Sequence, residues 1–372
     1  MLPFKALDFF AGSGLATQAL SQSFDVLWGN DNCKKKADVY LANHSSRQVD
    51  VKDQNTNKEL HHGDKVFALG DVANVEGFDF PEVTLSWASF PCQDLSLAGN
   101  LSGINGSRSG LVWHWLRIMD EMPEYPPLLV AENVTGLVSA NGGKHYKTLH
   151  NALRERGYKA GAVILDAFNW LPQSRPRVFV IAVRKEIDTE CLEGASSWVQ
   201  NSALIKASQG LEDFVWWRLP VPKERTQYLS DLIDFDVPVD NAEASERSLM
   251  LIPDSHRRKL ERFINELKVV PGYKRTRQHQ VLELRFDGAA GCLRTPQGGS
   301  SRQWLVLKKN DEFASRLLTA REAARLMGAP DSYQLPGSYN DGYKAMGDAV
   351  AVPVVRYLTE NLLLPLAHRS HV

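Results

Sequence analysis

A chain of 372 residues with 43% apolar content has material for one large domain and a smaller one. Its 43 Lys and Arg nearly cancel 44 Asp and Glu, for a formal net charge of -1, so no global charge announces a polyanionic partner, although a local patch can hide in that balance. The four cysteines, Cys33, Cys92, Cys191 and Cys292, have neither the density of a disulfide scaffold nor a CxxC or Cys/His spacing; no metal site is expected, and a reduced, intracellular setting is.

The start, MLPFKALDFFAGSGL, reads as a first strand and a glycine turn rather than a signal peptide. No stretch offers the roughly 18 uninterrupted apolar residues of a membrane helix. Apolar runs at 6–10, 26–29, 83–87, 128–131, 162–165 and 178–183 alternate with helix-like segments. That rhythm predicts an α/β fold built on a doubly wound sheet. After Arg184 the rhythm stops, and residues 185–310 are richer in charge and carry Trp198, Trp216 and Trp217; a second, smaller domain is expected there. The segment TAREAARLMG then announces a helix, with Thr319 as N-cap, Glu322 as capping-box partner and Gly328 as stop. The apolar tail AVAVPVVRYLTENLLLPLA needs a core and is expected to pack back on the first domain, making that domain discontinuous, 1–184 plus 311–372.

Chemistry concentrates at the strand ends. In DFFAGSG, Gly12 and Gly14 let the backbone approach a ligand at the head of a helix. A dinucleotide fingerprint wants a third Gly or Ala where Thr17 stands, which argues against a nicotinamide cofactor. The second strand ends on Asp31, and an acid about 20 residues beyond such glycines pairs with ribose hydroxyls, so a nucleoside cofactor is expected. Asp71 suits an adenine amine, or caps a turn. Cys92 follows a proline in ASFPCQDLSLAG and is either a nucleophile at a sheet edge or a small hydrophobe in a core. Glu132 ends another strand and either meets that thiol or caps the following helix. Gln173, Arg175 and Arg177 alternate into a strand, which predicts three side chains on one face, awaiting an anion. Between Ser255 and Arg285 nine Lys/Arg face three Asp/Glu; this is a phosphate-binding patch or a solvated helical face.

The ordered set DFFAGSG, PCQDLS, AENV, QSRPR, TAREAARLMGAPDSY and YKAMGDAVAVPVV resembles the DNA cytosine carbon-5 methyltransferases of bacterial and phage type, over about 1–184 and 290–365. The resemblance implies a Rossmann-like domain that takes S-adenosyl-L-methionine, and a target-recognition domain at 185–310. It implies that Cys92 attacks carbon 6 of a flipped cytosine, with Glu132 serving nitrogen 3 and Arg175 and Arg177 holding the ring carbonyl and flanking phosphates. On the cofactor side it implies Phe10 stacked on the adenine, Asp31 at the ribose and Asp71 at the amine, with Ala11, Gly12, Gly14, Val72, Pro91, Asp348 and Ala349 around them. Gln93, Ser96 and Gln173 fall on the DNA side, Ser96 reaching a phosphate.

Recognition is expected from the basic segment, with Lys274, Arg275 and Arg277 on phosphates. In RTPQGGSSRQW, Arg294 and Arg302 are able to read guanine, or are solvated arginines of a hairpin. The partner is double-stranded DNA, the protein a cytoplasmic, nucleoid-associated monomer, and any companion restriction endonuclease acts separately. Two departures from the family pattern stand out: Asp348 replaces the usual Asn, and Asn100 stands where a basic residue commonly follows the catalytic loop. Two other readings stay open, a transfer-RNA cytosine methyltransferase on the same motifs and a catalytically silent DNA-binding regulator.

Overall fold

The computed structural model describes residues 4–52, 60, 64–91, 110–194, 198–276, 278–294, 302–309 and 312–370. Cα packing divides the chain into two units: residues 1–165, 176–221 and 354–372, and residues 166–175 with 222–353.

The first unit holds an eight-stranded sheet of β1 (Lys5–Phe9), β2 (Asp25–Asp31), β3 (Arg47–Asp50), β4 (Val66–Leu69), β5 (Leu85–Ala88), β6 (Leu128–Val134), β7 (Tyr158–Asp166) and β8 (Pro176–Arg184), in the order β3-β4-β2-β1-β5-β6-β8-β7. The strands from β3 across to β6 are parallel, and β8 runs antiparallel to β6. Runs covered on both faces are continuously apolar, as in Val178–Val183, where every residue is buried. Strands β1, β2, β5, β6, β7 and β8 were expected as apolar runs and β4 as a strand ending near Asp71; β3 was not, because RQVD is polar and mostly exposed.

Residues 185–221 carry no strand rhythm, yet they pack into this unit. The Val215 N–H donates to Ala160 O at 2.9 Å and the Ala160 N–H to Asp213 O at 3.0 Å. The fully buried Trp217 donates its indole N–H to Ile181 O at 3.2 Å. At Gly161 an added Cβ would sit 1.9 Å from Val215 O, so the approach requires glycine. The segment thereby covers the backbone of an otherwise open sheet edge. The tail also joins this unit: Leu358, Leu362, Leu363 and Leu366 are fully buried, and the His368 ring meets Phe4 edge-on at 4.9 Å. The helical run Tyr339–Arg369 is long and apolar enough to cross a membrane by composition, but 56% of its most apolar window is buried inside the protein.

The second unit contains a four-stranded antiparallel sheet, β10 (Gln280–Leu284), β9 (Val269–Thr276), β11 (Gln303–Lys309) and β12 (Glu312–Leu317) in that order. Leu260 and Ile264 of helix Asp254–Leu267 pack on Val270, Leu282 and Val306. Helix Ala320–Leu326 has the expected capping box between Thr319 and Glu322 and stops at Gly328 with φ +76°. Packing and sequence texture therefore divide the chain differently in three places, the first being residues 166–175, which belong to the second unit. Residues 185–221 serve the first sheet, and 311–353 stay with the second unit because β12 pairs with β11.

Candidate active site

The site of the first unit follows from topology. The chain builds outward from β1 to β2, β4 and β3, then returns to β5 beside β1 and builds the other way to β6. Parallel strands put their carboxyl ends on one edge, and the β1/β5 reversal is the switch point at which open α/β sheets bind ligands. There β1 gives way to a turn in which Phe10, Gly12 and Gly14 take φ of 59°, 57° and 85°. A Cβ on Gly14 would lie 2.5 Å from the His44 ring, so no other residue fits. The turn is tied to β2: the Ala11 N–H donates to Asn30 O at 2.7 Å and the Gly12 N–H to Asp31 Oδ2 at 3.1 Å, while Asp31 Oδ1 accepts from the Cys33 N–H at 2.8 Å. Asp71 follows β4 and caps the 3₁₀ turn Val72–Asn74, its Oδ1 accepting from the Ala73 N–H at 2.9 Å. The capping alternative for Asp71 is therefore observed, and its carboxylate keeps further lone pairs.

Beneath the turn lies a buried polar network. Asp8 Oδ2 accepts from the Thr17 hydroxyl at 2.7 Å, and the Tyr40 hydroxyl is 3.2 Å from Thr17 Oγ1. Burial pushes the Asp8 carboxyl up to about 7 and pulls His44, whose ring is 3.0 Å from Gly14 O, down to about 4. Thr17, the departure from the dinucleotide fingerprint, is thus committed to holding the helix Leu15–Leu20 on β1. The edge above offers two carboxylate acceptors, Asp31 and Asp71, the half-buried Phe10 ring, buried Ala11 and Val72, and a glycine backbone free of side chains. This donor chemistry fits an adenosine, whose ribose hydroxyls and exocyclic amine are donors.

The other half of the edge is polar and enclosed. Strand β5 is fully buried, and Asn133 holds its exit by donating Nδ2 to Phe90 O at 2.9 Å while accepting from the Val134 N–H at 2.9 Å. Sequence reading passed over Asn133; the signal was an amide at a strand end beside Glu132, able to serve a carbonyl and an N–H together. Pro91 is exposed and is the last described residue before position 110, so Cys92, Gln93 and Ser96 lie outside the described residues. Glu132 is 8% exposed and its Oε1 sits 3.2 Å from Arg177 Nε, across the β6/β8 ladder. It pairs with this arginine instead of capping the helix at Gly136, whose N-cap is Thr135.

The expectation that Gln173, Arg175 and Arg177 share one face is corrected. Strand β8 begins at Pro176, and alternation holds only within a strand. Gln173 and Arg175 precede it and pack in the second unit. Gln173, fully buried, donates to Leu326 O at 2.6 Å. Arg175, 2% exposed, donates to Leu293 O at 2.9 Å, to Gly347 O at 2.9 Å and to Ala349 O. Main-chain carbonyls thus accept from Gln173 Nε2 and from both terminal nitrogens of Arg175. The exposed Asp348 and half-buried Ala349 lie in the turn so held.

Also in the second unit, Lys274 Nζ stands 3.5 Å over the Trp304 ring and donates to Ser248 Oγ at 3.0 Å. Burial holds its amine below the ordinary lysine range. Arg275 pairs with Glu283 at 2.8 Å. Arg277 and the glycine-serine stretch 295–301 lie outside the described residues. Arg294 is exposed, and Arg302 donates to Asn340 Oδ1 at 2.7 Å with its guanidinium 5.5 Å from the Tyr339 ring centroid. Arg257, Arg258 and Lys259 are exposed on helix Asp254–Leu267.

Comparison with known proteins agrees with this geometry. The family model described as C-5 cytosine-specific DNA methylase matches residues 4–363. The Type II methyltransferase M.HhaI of Haemophilus parahaemolyticus is 25% identical over 360 residues, covering 96% of this chain and 93% of that protein. M1.ScrFI of Lactococcus lactis subsp. cremoris is 26% identical over 361 residues, covering 97% and 78%. Among solved structures, the S. pombe Dnmt2 methyltransferase aligns with TM-score 0.59 at 19% identity, over 98% of this chain and 99% of that one, which shows the shared fold. The nearly full-length family match, together with the switch-point edge, shows that the chain belongs to the C-5 cytosine-specific DNA methylases and is a DNA cytosine-5 methyltransferase.

Proposed function

We propose that the protein methylates carbon 5 of a cytosine flipped out of a specific double-stranded DNA sequence, using Cys92 as a covalent nucleophile. The observation that carries this reading is the Glu132–Arg177 pair, 3.2 Å apart and largely buried at the edge where β5 exits toward Pro91 and Cys92. Carbon 5 of cytosine is a poor nucleophile. Addition of the Cys92 thiolate to carbon 6 makes the ring enamine-like, and Glu132 holds a proton at nitrogen 3 as charge flows there. Arg177 orients the Glu132 carboxyl and offers a cation to the ring's carbonyl oxygen. Arg175 acts one step back, as a clamp on the Gly347–Ala349 turn. Loss of the carbon-5 proton and release of the thiolate close the cycle.

S-adenosyl-L-methionine supplies the methyl group. Phe10 stacks on its adenine, Asp31 takes its ribose hydroxyls and Asp71 its amine, with Ala11, Gly12, Gly14, Val72, Pro91, Asp348 and Ala349 completing the surface. By role, residues 1–184 with 311–372 do the chemistry and 185–310 carry recognition. Within the latter, Lys274, Arg275 and Arg277 meet phosphates, and Arg294 and Arg302 read bases. A base inside a duplex is unreachable, and flipping it costs a few kcal/mol. The protein works as a cytoplasmic monomer, as the modification partner of a separate endonuclease or alone.

Bisulfite sequencing of DNA from a host expressing the gene tests this. Wild type should protect one cytosine of a recurrent sequence, and Cys92→Ala none. Methylation by Cys92→Ala, or protection of host transfer RNA with none of DNA, would overturn the reading.

A further inference from the structure

On helix Leu111–Glu121, Arg117 and Glu121 are charged side chains that the chemistry does not use. Arg117 Nη2 donates to three carbonyls of one loop, Val75 O at 2.8 Å, Ala73 O at 3.2 Å and Val72 O at 3.5 Å, while its Nη1 pairs with Glu121 Oε1 at 2.6 Å. The other Glu121 oxygen accepts from the Gly77 N–H at 2.9 Å. Gly77 itself lies against the helix: a Cβ there would fall 2.3 Å from Ile118 O and 2.8 Å from Glu121 Cβ. The stretch Val72–Gly77 is therefore tied to the helix at several points, Gly77 last. Val72 O also accepts from the Val75 N–H at 3.1 Å within the 3₁₀ turn, and the flat, multidentate guanidinium adds a donor to it and to the carbonyls of Ala73 and Val75 at the turn's C-terminal side while also facing a carboxylate. Arg117 and Glu121 are only partly exposed, at 35% and 19%, so their bonds are shielded in part from water.

We propose that Arg117 and Glu121 are positioning residues that set the conformation in which Asp71 and Val72 are presented to the cofactor. The proposal rests on Asp71 binding the adenine, as above. The Asp71 carboxylate caps the same turn whose far end Arg117 gathers, so releasing the carbonyls lets the turn unwind and moves the acceptor. Lysine keeps the charge but, as a point donor, cannot serve three carbonyls and a carboxylate together.

The test uses the full-length protein and S-adenosylhomocysteine in calorimetry, with Arg117→Ala, Arg117→Lys, Glu121→Gln and Asp71→Ala compared. Arg117→Ala should weaken binding about tenfold, the scale of one lost charge-assisted hydrogen bond, and raise KM for the methyl donor while kcat at saturation stays within about twofold. Arg117→Lys should be intermediate and Glu121→Gln milder. Amide hydrogen exchange without ligand should speed up at Ala73–Gly77 in the arginine variants and stay unchanged in β6. Should Asp71→Ala weaken binding while neither arginine variant does, the positioning role is overturned and the Asp71 reading stands. Unchanged affinity in Asp71→Ala removes that reading and the proposal with it. If Arg117→Ala does not fold, Arg117→Lys carries the same test, and wild-type affinity with wild-type exchange in it overturns the proposal.

Discussion

At the carboxyl edge of the eight-stranded sheet, Asp31 is held by two backbone amides, Asp71 by one and Glu132 by an arginine. On the four-stranded sheet Lys274 rests on an indole and one hydroxyl, and Arg275 on one surface carboxylate. The first arrangement fixes acceptors before any ligand arrives, as chemistry at a single atom requires. The second leaves cations with weak local partners that a phosphate can replace at little cost, since exposed ion pairs contribute about 0–1 kcal/mol. Substitutions at the edge should therefore act on rate or cofactor affinity in large steps, and those on the second sheet on salt dependence in small ones.

The sharpest contrast comes from Glu132. Glu132→Gln keeps an oxygen for Arg177 to donate to but removes the proton carrier, so kcat in single-turnover methyl transfer should drop about 10²- to 10⁴-fold with DNA affinity retained. A loss under threefold would assign the nitrogen-3 proton to another group.

Asp8 probes the base of the same edge. Its carboxyl sits at about 7 in the folded protein against an ordinary value of 3.8, so the folded state holds a proton that the unfolded chain has released. Stability then falls as pH rises from about 4 to about 7, by up to roughly 1.4 kcal/mol per pH unit. His44, drawn down to about 4, contributes the opposite slope, with stability lost as pH falls from about 6.5. The informative quantity is thus the difference between wild type and Asp8→Asn. Urea unfolding at pH 5 and pH 8 should show the wild type losing roughly 2–3 kcal/mol more than the variant over that interval. Equal changes would mean that Asp8 titrates normally.

The smallest effect belongs to the second sheet. Lys274→Ala and Arg275→Ala should each lower the slope of log affinity against log salt by about one unit, equally on cognate and scrambled duplexes. A loss confined to the cognate duplex would make either residue a base reader and blur the contrast.

Sequence legibility follows the same divide. Strands β1, β2, β5, β6, β7 and β8 are readable because their runs are predominantly apolar, most purely in VFVIAV, and the Thr319–Glu322 box is readable because capping is local. The acids at the strand ends are readable from topology. What cannot be read is partnership across the chain: Arg175 looks like an anion ligand until the carbonyls of Leu293, Gly347 and Ala349 are seen around it. The charged, tryptophan-rich stretch 185–221 looks foreign to the sheet, yet it covers the sheet's edge through backbone bonds that leave no periodic trace. The role of Arg117 is invisible for the same reason, since beyond its i,i+4 pair with Glu121 its partners are three carbonyls.

The central claim, a covalent bond between Cys92 and cytosine carbon 6, is tested most directly with duplex DNA carrying 5-fluorocytosine in the methylated position, since fluorine at carbon 5 blocks the final elimination. Incubation with the wild type and S-adenosyl-L-methionine, followed by denaturation and peptide mass spectrometry, should give a stable one-to-one adduct on the peptide containing Cys92, absent in Cys92→Ala. An adduct on another residue, or methylation-competent enzyme that leaves no adduct, would contradict the account.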